Sequence, residues 1–275
     1  MAGPTGSLPG VGYPNFPGKH DHDALAEPAA LLEYWAGHGL LPSDRPAPDG
    51  LLMLYQKPLF SAVLRGLAGP VTPYAPGARP SAFLDVHTFD DTDGTVGVVG
   101  GFGIGAPAAV SILEMLAALG VRRFVGVGTA GALQAHLDTG AVVVCDRAVR
   151  DEGVSHHYVA SGQWAEPSPG LSERLHACLD DAGLAPTTGS AWTIDAPFRE
   201  TVAEAKHYAD EGVAVVEMEA SALFTVARVR GVEAASAFAV SDSLADGEWT
   251  PQFGDPRVAG SLTRMVPAAI AALQR

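Results

Sequence analysis

Short, continuously apolar runs alternate with longer helical patterns along most of the chain, and segments rich in glycine or proline punctuate them. Residues 27–40 carry a helical pattern, and 42–50 (PSDRPAPDG) form a breaker-rich loop. The run LLMLY over 51–55 predicts a short buried strand, followed by the loop Gln56–Lys57–Pro58 and a helix over 59–67. From residue 83 the alternation becomes regular. Two strands, FLDVHTF and TVGVVG, flank Asp91–Gly94 and lead into a glycine-rich turn over 100–105. A helix apolar on all sides follows from Pro107 to Leu119, with proline in its first turn and Gly120 as its stop. Next come a strand VRRFVGVG, a small-residue turn over 129–132 and a strand AVVVCDRAV. A helix over 170–182, a strand over 187–193 and a strand over 213–218 running into a helix to 230 continue the pattern. A last strand, AASAFAV, ends at Ser241–Asp242, and a helix fills 257–274. Strands that are apolar on both faces and alternate with helices predict a single α/β domain over 25–275, with a mixed, mostly parallel central sheet flanked by helices. The Gly/Pro-rich residues 1–24 read as a mobile or surface-draped arm.

Composition narrows the function classes. Hydrophobic residues make up 47% of the 275 and mean hydropathy is +0.16, so a large core is available and global disorder is excluded. The net charge is −14, with three lysines (Lys19, Lys57, Lys206), and such a surface repels phosphate backbones and anionic membranes. Nucleic acid is therefore not an expected partner. No apolar run is long enough to span a membrane and residues 1–24 lack the apolar stretch of a secretory signal, which predicts a soluble, cytoplasmic protein. The cysteines Cys145 and Cys178 read as reduced, buried thiols. The KHDHD cluster, Lys19 to Asp23, reads as a solvated turn, because two histidines at i and i+2 lack a third ligand. Neither a metal nor an organic cofactor is expected.

Four features carry the chemistry. Gly103-Ile-Gly105-Ala-Pro-Ala108 has the form of a dinucleotide-binding turn, but the next strand ends without the acidic residue that would hold a ribose. No P-loop and no G-x-S-x-G elbow occur. A second glycine turn, Gly126-Val-Gly128-Thr129-Ala130-Gly131, also closes a strand. Either turn reads as close backbone approach to a ligand or as tight strand–helix packing. Third, Glu217-Met218-Glu219 closes an apolar strand and opens a helix. Its carboxylates either accept hydrogen bonds from a vicinal diol such as ribose O2′ and O3′, or stabilise the helix N-terminus. Fourth, Asp242, after another apolar strand, is a cap or a general acid.

In this order, GFGIGAPAAVSILEMLAALGVRRFVGVGTAGAL, VVEMEASALF and AVSDS resemble the nucleoside phosphorylase superfamily. That group comprises purine nucleoside phosphorylases, uridine phosphorylases and methylthioadenosine/S-adenosylhomocysteine nucleosidases. The resemblance spans 83–272, and the segment from Arg150 to Tyr158 is similar to the R-x-D-G-x-S-x-H-[FY] stretch of uridine phosphorylases. It implies an enzyme that cleaves the N-glycosidic bond of a nucleoside. Glu219 would clamp the ribose hydroxyls, Met218 would pack under the sugar, and Glu217 would lie nearer the base. Thr129, shaped by Gly128 and Ala130, would hold phosphate, and Gly103 belongs to the first glycine turn of the site. Asp242 would protonate a purine at N7, which favours a purine base because uridine phosphorylases lack this acid. Trp192, Pro197, Phe198 and Arg199 would build the base pocket. A homo-oligomer, dimeric or hexameric, with neighbours completing each pocket, is also implied.

The departures concern phosphate. The G-D-P-x-R segment of the phosphorylases is replaced by Tyr55-Gln-Lys57-Pro-Leu-Phe60, so its arginine is missing and Gln56 stands in the place of a glycine. A second arginine, three residues before Thr129, is replaced by Gly126, as it also is in the nucleosidases. Both losses remove charge-assisted contacts to an anion. Lys57, Arg79, Arg150 and His157 are the candidates to restore them, at the phosphate or from a neighbouring subunit. The first expectation is phosphorolysis of a purine nucleoside with inorganic phosphate as co-substrate. The alternatives are hydrolysis by water and a catalytically silent nucleoside-binding protein.

Overall fold

A computed structural model describes residues 16–41, 46–74 and 85–274. The strands are β1 (Gly50–Leu54), β2 (Val71–Pro73), β3 (Val86–Phe89), β4 (Val96–Gly100), β5 (Arg123–Ala132), β6 (Val142–Asp151), β7 (Trp164–Ala165), β8 (Thr187–Ile194), β9 (Val215–Glu217), β10 (Glu233–Ser243) and β11 (Thr250–Pro251). The α-helices are α1 (Pro28–Gly37), α2 (Lys57–Leu64), α3 (Ala106–Leu119), α4 (Pro169–Asp181), α5 (Val202–Asp210), α6 (Ala220–Arg230) and α7 (Pro256–Gln274).

The continuous apolar runs have a simple cause. Alternate side chains of β1 enter two different cores: Leu51 and Met53 face one and Leu52 and Leu54 the other, all fully buried. Each such side chain contributes about 1.5–3 kcal/mol on leaving water, so a polar residue in β1 would cost stability on either face. The first core is closed by α3 and α6, the second by α2, α4 and α7.

Among the described residues all strands join one mixed sheet in the order β11-β10-β6-β8-β9-β5-β1-β4-β3-β2, with β7 on β6. Its longest registers, β5 with β10 and β6 with β8, are parallel. Because β10 pairs with both β6 and β5, strands β5, β9, β8, β6 and β10 close into a ring. The carboxyl ends of β1, β5, β9 and β10 converge there, the usual place for ligands in α/β sheets.

Three sequence expectations need correction. The turn expected over 129–132 is strand: β5 runs unbroken to Ala132, paired with β10 and β9. Its glycines are small because neighbours fill their space. A Cβ at Gly131 would lie 2.7 Å from Leu244 Cδ1 and 3.1 Å from Asp242 Oδ2. Likewise β10 does not end at Asp242 but continues to Ser243, with a register shift between Val240 and Asp242; such an irregularity re-aims side chains. Helix α5 was not anticipated, although Thr201 and Glu204 form a complete capping box at its start. The expected arm is described from residue 16 onward. There Lys19 Nζ donates to His157 Nδ1, and His20 Nε2 lies 3.0 Å from the His156 carbonyl. Among the described residues no helix is long and apolar enough to cross a membrane.

Candidate active site

A cleft of about 510 Å³ opens where these strand ends meet. Tyr55 and Gln56 line it after β1, Thr129 to Gly131 in β5, Val216 to Glu219 after β9, and Ser241, Asp242 and Leu244 around the end of β10. Ile104, Pro197, Phe198, Glu200, Trp249 and Phe253 form the rim.

The two glutamates of the β9–α6 junction do different work. Glu217 spends both carboxylate oxygens on protein donors. Oε2 accepts the amides of Glu219 and Ala220 at 2.8 Å each, and Oε1 accepts the Thr193 hydroxyl. It caps the start of α6, satisfying amides that a helix leaves free. The helix-terminus reading of this motif therefore describes Glu217, which is 4% exposed. Thr193 Oγ1 also accepts from the Ser221 amide, and the Ser221 hydroxyl donates to Glu152 at 2.9 Å, so the junction is pinned from below.

Glu219, held by this cap, turns its carboxylate to the first glycine turn, where Oε1 accepts the Gly105 amide at 2.5 Å. Gly105 has φ +90° and ψ 160°, a conformation reserved for glycine, and it also precedes the first residue of α3. The glycine turn thus orients a carboxylate instead of cradling a pyrophosphate. Burial, and then the charge of Glu217, raise the Glu219 carboxyl well above the usual carboxylate range. Burial raises Glu217 as well, against its hydrogen bonds from Thr193 and the helix amides.

Elsewhere in the lining, Asp242 Oδ1 accepts the Ser241 hydroxyl at 2.7 Å and Oδ2 the Trp249 indole N–H at 2.9 Å. Glu200 stands beside it, its carboxyl pushed up to about 7 by partial burial and then by the charge of Asp242. At the floor, Gln56 Nε2 donates to Thr129 Oγ1 at 3.0 Å, while Gln56 Oε1 is buried without a hydrogen-bond partner among the described residues. The ring of Tyr55 lies along β5. A Cβ at Gly126 would meet Tyr55 Oη at 2.7 Å, and one at Gly128 would meet Tyr55 Cδ2 at 2.8 Å. The cleft lining therefore contains four carboxylates (Glu200, Glu217, Glu219, Asp242) and, among the described residues, no Lys, Arg or His.

The family model of the phosphorylase superfamily matches residues 65–271. The chain belongs to this superfamily. It is accordingly an enzyme acting on nucleosides, in agreement with the motif resemblance. Two curated superfamily relatives are similar to it. Purine nucleoside phosphorylase DeoD-type from Bacillus cereus is 30% identical over 178 residues, covering 60% of this chain and 76% of its own. Guanosine phosphorylase from Halorubrum lacusprofundi is 32% identical over 155 residues, covering 56% and 64%. Among solved structures, the purine nucleoside phosphorylase of Toxoplasma gondii in complex with immucillin-H superposes with a TM-score of 0.68 over 83% of this chain and 92% of that one, at 19% identity. It shares the fold.

The sequence-derived superfamily residues divide in two. Glu217, Met218, Glu219, Thr129, Ala130, Pro197, Phe198 and Asp242 meet in the cleft. Gly103 (φ +101°) shapes the neighbouring turn, and Gly128 lies under Tyr55, both outside the lining. Trp192 does not line the cleft: it is fully buried in a separate core, its indole donating to Asp151 at 2.8 Å and its ring 4.7 Å from Tyr208. Arg199 is exposed and is not among the lining residues. The proposed phosphate cations do not gather either. Arg150 is buried and spent on the 155–160 loop, donating to the Ser155 hydroxyl and the Ala160 carbonyl at 2.9 Å each. Lys57 is exposed outside the cleft. His157 borders a different groove beside Lys19, and Arg79 lies outside the described residues. Sequence reasoning missed Tyr55, Glu200, Trp249 and Phe253 as lining residues, and it registered Gln56 only as a departure. Glu200 had a usable signal in its position just before the Thr201 cap; Trp249 and Phe253, in a loop without a motif, had none.

Proposed function

We propose that this enzyme cleaves the N-glycosidic bond of a purine nucleoside in the cleft between Glu219 and Asp242. The observation that carries this reading is the placement of two carboxylates with separate supports in the lining of one cleft. Glu219, aimed by Gly105, suits the paired donors of a ribose diol. Asp242, aimed by Ser241 and Trp249, suits proton delivery to the departing base. Cleavage builds positive charge on the sugar and negative charge on the base, so a carboxylate near the ring and an acid at the base act together on the transition state. Glu200, whose carboxyl is raised to about 7 by burial and by the charge of Asp242, is the neighbouring group able to share a proton with it.

The curated relatives named phosphorylases favour inorganic phosphate as the sugar acceptor, with Thr129 as its contact. The lining of the cleft favours water. The expected assembly is a homo-oligomer, dimeric or hexameric, in the cytoplasm. The exposed rim side chains Ile104, Phe198, Trp249 and Phe253 are the surface a neighbouring subunit would cover, and a monomer mass by light scattering would contradict this. Asp242→Asn tests the reading: base release from natural purine nucleosides should slow about 10²–10⁴-fold, and a substrate with an activated leaving group should lose far less. Equal losses would exclude the general-acid role.

A further inference from the structure

None of the residues from Arg150 to Tyr158, the segment similar to a uridine phosphorylase stretch, lines the cleft. Its Glu152 directly follows β6 and is 3% exposed, and both its carboxylate oxygens accept from the protein. Oε2 takes the Ser155 amide and Oε1 the Ser221 hydroxyl, each at 2.9 Å. Burying a carboxylate is costly unless donors and opposite charge compensate it. Here the charges of Glu152 and Arg150 attract each other across the turn, and Arg150 Nε is fixed on the Ser155 hydroxyl at 2.9 Å. One Glu152 oxygen therefore closes a local turn. The other reaches 69 residues along the chain, into the first turn of α6.

That long-range contact falls where the supports of the β9–α6 junction meet. The carboxyl ends of three adjacent parallel strands, β6, β8 and β9, each send one polar side chain under the start of α6: Glu152, Thr193 and Glu217. Glu217 holds the amides of Glu219 and Ala220, and Thr193 holds that of Ser221 at 3.0 Å. Amides at a helix start point along its axis, so these bonds set how far α6 extends toward the sheet. The Ser221 hydroxyl lies off the axis, and its bond to Glu152 sets how the first turn is rotated. That rotation decides where the carboxylate of Glu219, two residues earlier, is aimed. An apolar residue at 152 would fill the space without adding like charge beside Glu217, so packing alone does not account for a carboxylate there. On the reading that Glu219 binds the ribose diol, we propose that Glu152 is a positioning residue for Glu219, acting through Ser221.

The test measures the full chain on matched purine ribosides and 2′-deoxyribosides, with Tm recorded for every variant. Ser221→Ala and Glu152→Ala should each lower kcat/KM on ribosides about tenfold by misaiming Glu219, while deoxyribosides lose markedly less. The double variant should lose no more than either single one, because both break the same bond. Glu152→Gln keeps an oxygen for the Ser155 amide and turns an NH₂ to the Ser221 oxygen, so it should retain most of the preference for ribosides. Equal losses on both sugars, or a lowered Tm with the preference for ribosides unchanged, would make Glu152 structural only and overturn the proposal, with cleavage still standing. If Glu152→Ala does not fold, Ser221→Ala and Glu152→Gln decide by the same criterion. A wild-type chain that releases no base overturns the cleavage reading and this proposal together.

Discussion

Glu217 and Glu219 are two residues apart and chemically identical, yet their surroundings give them different tasks. Three protein donors on Glu217 make it a cap, whereas the amide of Gly105 aims Glu219 while the carboxylate remains in the cleft lining. Sequence spacing alone left the diol clamp and the helix terminus open for the whole motif, because both tasks use the same residue type. The deciding partners, Thr193 and Gly105, lie 24 and 114 residues away. Replacing Glu219 by Gln retains size and the Gly105 contact but leaves only one good acceptor. Activity on ribosides should fall by about tenfold or more, the loss of one charged hydrogen bond, while 2′-deoxyribosides lose less. Steady-state kinetics on matched ribo and deoxy substrates checks this, and equal losses would take the diol from Glu219.

At the scale of elements, the site depends on how strands end. The β9–α6 junction holds both glutamates, the register shift in β10 presents Ser241 and Asp242, and β5 accepts Tyr55 because glycines leave room for the ring. The strands and helices were legible from continuous apolar runs and from proline and glycine at helix ends. The misread stretch, 129–132, consists of small residues that resemble a turn in isolation; packing from Leu244, Val216 and Asp242 makes it strand. Trp192 was misplaced for a related reason. Sequence cannot tell which face of β8 its side chain takes, and it lies in the core beside Tyr208. The Glu217 cap is an element-scale device, so Glu217→Gln should destabilise the fold by about 1–3 kcal/mol, the cost of disturbing a buried charged hydrogen-bond set. It should also lower activity by loosening Glu219. A denaturant titration with an unchanged midpoint would contradict the cap.

Across the whole molecule, an acidic chain of net charge −14 places four of its 31 acidic side chains in the lining of one cleft. Glu200, Glu217 and Glu219 all have carboxyls raised by burial. Their folded values exceed the unfolded glutamate value of about 4.3, so the folded state retains protons that the unfolded chain has released. The stability they contribute is complete below the unfolded value and is lost as pH rises through the folded values, Glu200 near 7 and the buried pair also raised. Tm should therefore fall between about pH 5 and pH 8, and Glu200→Gln should flatten part of that slope. A Tm that rises over this interval would contradict the raised carboxyls.

The same charge argument that set nucleic acid aside in the sequence now bears on the chemistry of the cleft, which on the proposed reading would offer a nucleoside a carboxylate at its sugar and another at its base. The most direct measurement of that claim is base release by the purified full chain from a panel of purine and pyrimidine nucleosides, followed by absorbance and confirmed by chromatography of the base. Release from purine nucleosides, with pyrimidine nucleosides far slower, is the predicted result. Tight binding of purine nucleosides without release, or release confined to pyrimidines, would contradict it.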